Sequence, residues 1–167
     1  MKRWMAILIV LLGAANVGLA EGWEAGILTN ASTNMLEPRA GVQLSDEWTV
    51  GVLGLYYEPD LAGEDWGVGC YAKMAVDPNA TFALADWLPA GLGGFLPAEI
   101  TAATYGIGRV IYTDADGEGT FSASIGAGAQ VGPAVLEAEY AIVESGETDD
   151  PVAVSGLEVK FGLMIEF

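Results

Sequence analysis

The sequence has no histidine, a single cysteine and only six basic side chains in 167 residues. Without histidine the commonest general base and metal ligand is missing, which excludes Ser-His and Asp-His hydrolytic mechanisms. A lone cysteine, Cys70, leaves no internal disulfide to brace the fold. So few Lys and Arg cannot neutralise a run of phosphates, so nucleic acid is not an expected partner. Beyond residue 20 there is no run of 18 or more apolar residues, and therefore no candidate membrane helix. No catalytic residue and no cofactor are expected. A carboxylate-pair glycosidase is the enzyme class that needs no histidine, but a barrel wall would offer it no cleft.

What the chain does contain is acid, glycine and apolar side chains. Acidic residues number 23, the net charge is −17, glycine occurs 23 times and 52% of residues are hydrophobic. Disordered acidic tails lack apolar surface to bury, so this is not one. At the N-terminus, Lys2 and Arg3 precede an unbroken apolar run from Trp4 to Ala15, and Gly18-Leu19-Ala20 stands before Glu21. That order matches a secretory signal peptide cleaved after Ala20. The rival, an uncleaved anchor, needs roughly 20 apolar residues, and Asn16 interrupts this run. The expected division is a signal peptide at 1–20 and one domain at 21–167. That domain keeps four bases, Arg39, Lys73, Arg109 and Lys160, against all 23 acids, a net charge of −19.

Through the domain, apolar and small or polar residues alternate with the period of a strand. Leu157, Val159, Phe161, Leu163, Ile165 and Phe167 fall on one face of the last segment, opposite Glu158, Lys160, Gly162, Met164 and Glu166. The same alternation runs through 66–76, 120–132 and 134–143, and in shorter form through 22–30, 39–45, 48–57 and 101–112. With the last segment at 152–167, eight strands are predicted. The less apolar faces are mostly Gly, Ala and Ser with single charges, which suits the crowded interior of a small barrel better than a solvated sheet. The opposite faces carry the aliphatic and aromatic residues a lipid-facing band needs. The predicted class is all-β, an antiparallel up-and-down transmembrane β-barrel.

The signal peptide, the alternating strands and the final stretch Leu157-x-Val-x-Phe-x-Leu-x-Ile-x-Phe167 together resemble the small eight-stranded outer-membrane barrels of the OmpA/OmpX type. The resemblance implies location in the outer membrane of a Gram-negative-type bacterium, with both termini periplasmic and no open pore. It also implies a monomer in contact with outer-membrane lipid and lipopolysaccharide, whose C-terminal strand is read by the outer-membrane assembly machinery. In that topology the connections at 45–47 and 132–134 are periplasmic. Those at 58–65, 113–119 and 144–151 are external and acidic. Trp23, Trp48 and Phe167 at one end, with Tyr57, Trp66, Tyr112 and Phe121 at the other, would form the two aromatic girdles.

Residues 78–99 fit this plan badly, because they are long and apolar where a short turn is expected. Two extra strands here would make ten, but Pro89 and Pro97 argue against central strands. A non-strand segment is therefore expected, either an interfacial helix or a plug in the lumen.

All four bases of the domain fall on inward faces, as do Glu24, Glu137, Glu139 and Glu158. Buried charges must be paired, so an ion-pair network of Glu24, Arg39, Lys73, Arg109, Glu137, Glu139, Glu158 and Lys160 is expected to fill the barrel. Asp114, Asp116 and Glu118, followed by Gly119, resemble the first half of an EF-hand loop. Ile125 stands where the bidentate acid is required, so the turn reads as an acidic hairpin and not as a metal site. Cys70 is expected to face lipid, where a thiol is inert. Three functions remain open: a structural or surface-interaction barrel, a narrow transport barrel for a small or hydrophobic solute, and a secreted soluble β-sandwich that binds a ligand.

Overall fold

The computed structural model describes residues 22–30, 35–57, 66–83, 99–115, 118–145 and 156–167. The proposed signal peptide at 1–20, the connection 58–65 and most of 144–151 lie outside these residues.

Eight strands run in chain order: β1 (Gly22–Asn30), β2 (Met35–Gln43), β3 (Trp48–Tyr57), β4 (Trp66–Ala83), β5 (Glu99–Ala115), β6 (Glu118–Val131), β7 (Ala134–Ser145) and β8 (Leu157–Glu166). Each pairs antiparallel with its sequence neighbours, and β8 pairs back onto β1 to close the barrel. Backbone bonds between Trp23 and Phe167, at 3.2 and 2.8 Å, complete the seam at its end. Closure leaves no open edge around the wall, the condition for strands in lipid.

Period-two alternation sorts the side chains. Ile27, Val68, Val110, Ile125, Leu136, Tyr140 and the β8 series Leu157 to Ile165 point outward and are exposed. Leu28, Met35, Leu53, Leu55, Tyr71, Ile107, Ile111 and Met164 point inward and pack together. The ten residues of β8, at about 3.3 Å each and tilted about 40°, span about 25 Å, the height of an outer-membrane apolar band.

The connections follow the local chemistry. Between β2 and β3 the Ser45 hydroxyl accepts from the N–H groups of Glu47 and Trp48, at 3.3 and 3.2 Å. Between β6 and β7 two residues suffice because Gly132 adopts φ of 55°, a conformation that glycine tolerates.

Four expectations are corrected. β2 begins at Met35, not at 39, and runs through Pro38; no β2–β3 pair forms at positions 37 and 38, where proline has no N–H to give. β8 spans Leu157–Glu166 with Gly156 outside it, so the expected strand is not continuous from 152, and residues 152–155 lie outside the described residues. The stretch 113–119 is not a long loop, since β5 and β6 pair as far as Ala115↔Glu118 in a tight hairpin. Residues 78–83 and 99 are strand: β4 and β5 continue as a pair to Ala83↔Glu99, with register shifts that accommodate Asp77-Pro78-Asn79, while residues 84–98 of the stretch expected to be a helix or plug lie outside the described residues. Direct pairing of β4 with β5 also leaves no place for two more strands, so the barrel has eight.

Candidate functional site: a charged lumen

The inward faces converge on a layer of charge. Arg39 donates from Nη1 and Nη2 to the two carboxylate oxygens of Glu137, at 2.8 and 2.6 Å, and from Nε to Glu37. The bidentate fork is the strongest geometry available to an Arg–carboxylate pair. Glu37 is fully buried and also accepts from Arg109 Nη1 at 2.7 Å and Lys160 Nζ at 3.0 Å. Glu139 pairs with Arg109, lies 3.5 Å from Lys160 Nζ, and accepts from the Ser124 hydroxyl at 2.8 Å. Nearer the chain termini, Lys73 pairs with Glu24, which also accepts from the Tyr71 hydroxyl at 2.6 Å.

Two tyrosines join these groups. Tyr105 donates to Glu137 at 2.7 Å while its ring lies 4.8 Å from Lys73 Nζ. Tyr71 carries the Arg39 guanidinium 5.3 Å above its ring. Both rings occupy space that only glycine leaves free. A Cβ on Gly51 would enter the Tyr71 ring, one on Gly41 would stand 2.5 Å from its hydroxyl, and one on Gly128 would enter the Tyr105 ring.

All eight residues named for the lumen lie on inward faces, and seven are buried: Glu24, Arg39, Lys73, Arg109, Glu137, Glu139 and Lys160. Glu158 is different. Its side chain is 47% exposed and sits 3.3 Å from Lys160 and 3.7 Å from Arg109, at the outer edge of the cluster. Sequence reasoning missed Glu37, Tyr71, Tyr105 and Ser124. With Glu37, four buried acids balance four buried bases, and no buried side-chain polar atom among the described residues is left without a partner.

The network divides the lumen. A cavity of about 170 Å³ opens at the end that holds the termini, lined by Glu24, Gln43, Lys73, Tyr105, Gln130 and Glu166 among others. A second, of about 230 Å³, opens at the far end beside Arg109, Glu139, Glu158 and Lys160. They share no lining residue, and Glu37, Arg39, Tyr71 and Glu137 line neither.

On the outer surface, Trp23, Trp48 and Phe167 lie at the termini end. Tyr56, Trp66, Tyr112 and Phe121 form a row at the far end, where Trp66–Tyr112 and Tyr112–Phe121 ring centroids are 6.1 and 5.0 Å apart. Tyr56 pairs across from Trp66, and the side chain of Tyr57, expected in this girdle, lies outside the described residues. Asp114 lies near the end of β5 opposite Gly119; Asp116 and the side chain of Glu118 lie outside the described residues. Among the described residues no group of three or more Cys, Asp or Glu side chains is placed to hold a metal ion. Cys70 points outward and is exposed.

A closed eight-stranded antiparallel barrel with an apolar outside and a charged inside defines the class: an all-β barrel of the OmpA-type fold. Among solved structures, the chain is similar to the N-terminal β-barrel domain of Pseudomonas aeruginosa OprF. The TM-score is 0.52 at 11% identity, covering 87% of this chain and 96% of that one. No protein-family model matches the chain, and no curated protein does.

Proposed function

We propose that the protein is an integral outer-membrane β-barrel with a structural or surface-interaction role, its lumen filled by the ion-paired layer. The observation that carries this reading is the partition of charge. Every base after residue 20 is buried in the lumen, while the outward faces from β1 to β8 carry an exposed apolar band with aromatic residues at both ends. A soluble protein rarely exposes a contiguous apolar patch beyond a few hundred Å², and a band around the whole circumference has a membrane as its natural solvent. The likeness to the OprF domain supports the fold, and through it an outer-membrane address reached by way of the signal peptide. Lipid and lipopolysaccharide are the proposed surroundings, the assembly machinery is the proposed reader of β8, and the barrel is proposed to be a monomer without enzymatic activity.

Gel mobility tests this. The folded protein in mild detergent should migrate differently unboiled than boiled, and should fractionate with outer membranes after expression with residues 1–20. The closed barrel overturns the expected alternative of a soluble β-sandwich, so recovery in the soluble periplasm with no heat-dependent shift would mean a soluble barrel and end this reading.

Conductance tests the filled lumen. With two end cavities separated by Glu37, Arg39, Tyr71 and Glu137, the wild-type barrel should give no sustained openings in planar bilayers. A persistent channel would turn the assignment toward transport.

A further inference from the structure

At the far edge of the charged layer stands one acid beyond the four that the buried bases match. Glu24, Glu37, Glu137 and Glu139 pair with Arg39, Lys73, Arg109 and Lys160. Glu158 is the surplus. Lys160 donates to Glu37 at 3.0 Å, and Arg109 donates to Glu37 at 2.7 Å and pairs with Glu139. Both bases therefore stand near Glu158 with their hydrogen bonds directed elsewhere.

The strand register sharpens the imbalance. Glu158 of β8 pairs directly across from Glu139 of β7, and both line the cavity of about 230 Å³ at that end. Like charges opposite each other on neighbouring strands repel. Arg109 offsets Glu139, whereas Glu158 is 47% exposed and reaches Arg109 only at 3.7 Å and Lys160 at 3.3 Å. A further monocation in the cavity would complete the balance.

The rest of the lining says what kind of cation fits. Thr113 and Ser122 line the same space, and a hydroxyl that donates one bond, as Thr113 does to the Thr120 carbonyl at 3.5 Å, keeps lone pairs to accept another. Met35, Leu55 and Ile111, all buried, supply an apolar wall. An inorganic cation is held by oxygens alone and gains nothing from hydrocarbon, whereas an alkylammonium uses both. The volume suits a short one, since pockets for drug-sized ligands run to about 300–1,000 Å³. An anion would have to displace Glu158 from the two bases and would add to the surplus.

We propose that the cavity at the far end of the lumen is a binding site for a small organic cation of the alkylamine class. Its ammonium group pairs with Glu158 and donates to the hydroxyls beside it, and its alkyl part lies against Met35, Leu55 and Ile111. This rests on the barrel fold and its charged lumen, and not on the membrane address.

The test titrates the barrel, refolded in a nonionic detergent at neutral pH, with butylammonium, methylammonium or 1-butanol, followed by saturation-transfer NMR with K⁺ as competitor. Butylammonium should bind saturably with a Kd of about 1 mM, as so small a ligand allows. Methylammonium, which lacks the hydrocarbon, should bind about tenfold more weakly. The uncharged 1-butanol should not bind. Glu158→Gln should weaken butylammonium about tenfold, the worth of a hydrogen bond to a charged group. Heat-dependent gel mobility reports separately whether that variant has folded, and the comparison among ligands on the wild-type barrel needs no variant. Equal binding of butylammonium and 1-butanol would mean partition into hydrocarbon, and full displacement by equimolar K⁺ would mean a diffuse counter-ion effect. Either result, unchanged binding in folded Glu158→Gln, or no saturable binding of butylammonium would overturn the proposal.

Discussion

Glu37→Ala should cost the folded barrel about 3–5 kcal/mol, the usual penalty for leaving a buried ion without its partner. The Glu37 carboxylate is fully buried and is the acceptor shared by Arg39, Arg109 and Lys160. Its removal leaves three buried acids, Glu24, Glu137 and Glu139, facing four buried bases. Urea unfolding of the detergent-refolded barrel, followed by tryptophan fluorescence, measures the loss. Glu158→Gln is the control. That side chain is half exposed and reaches its partners only at 3.3 and 3.7 Å, so its removal should cost less than about 1 kcal/mol. Replacing Glu37 with Gln and Lys160 with Met together should recover much of the loss, because the charge balance is restored. Equal effects of Glu37→Ala and Glu158→Gln would mean that the lumen is solvated and the layer does not hold the fold.

That Glu37 had to be found in the structure shows where the sequence stops being readable. β8 could be read because its alternation is strict and one face is wholly apolar. β2 could not, because Pro38 lies between the two inward charges Glu37 and Arg39 and looks like a strand breaker. In the barrel that proline stands opposite Ile27 on the outward face, where only one ladder is interrupted. Pro78 misled in the same way, since a bulge absorbs it. The inward direction of the bases was legible from period two, but their partners were not. Arg39 meets Glu137 across 98 residues, a pairing set by the stagger of the strands around the barrel. Tyr71 and Tyr105 escaped notice for a related reason. Their role depends on glycines of other strands, Gly41, Gly51 and Gly128, coming to lie beneath them, and alternation within one strand carries no record of that.

Gly162→Val should prevent closure altogether. Gly162 of β8 pairs with Leu28 of β1 and Val135 of β7, so it sits in the seam that converts an open sheet into a barrel. A Cβ there would enter the Ile27 carbonyl and stand 2.6 Å from Leu28 Cα, both backbone atoms that cannot swing aside. Gly26, on the other side of the seam, has the same constraint from Leu163 and Met164. Strands forced apart at this point would leave unpaired N–H and C=O groups on β1 and β8, each costing several kcal/mol in lipid. The expected result is loss of the heat-modifiable band, with protein recovered as an unfolded or aggregated species. Gly106→Ala and Gly108→Ala provide the contrast, because a Cβ at either position would find its nearest heavy atom 4.0 Å away. Those variants should fold with wild-type yield. A Gly162→Val barrel that keeps its heat-dependent shift would show that β1 and β8 can pair in another register. The stagger that brings Arg39 to Glu137 would then not be unique either. The two predictions are linked in this way: the seam glycines permit the one closure in which four buried acids meet four buried bases.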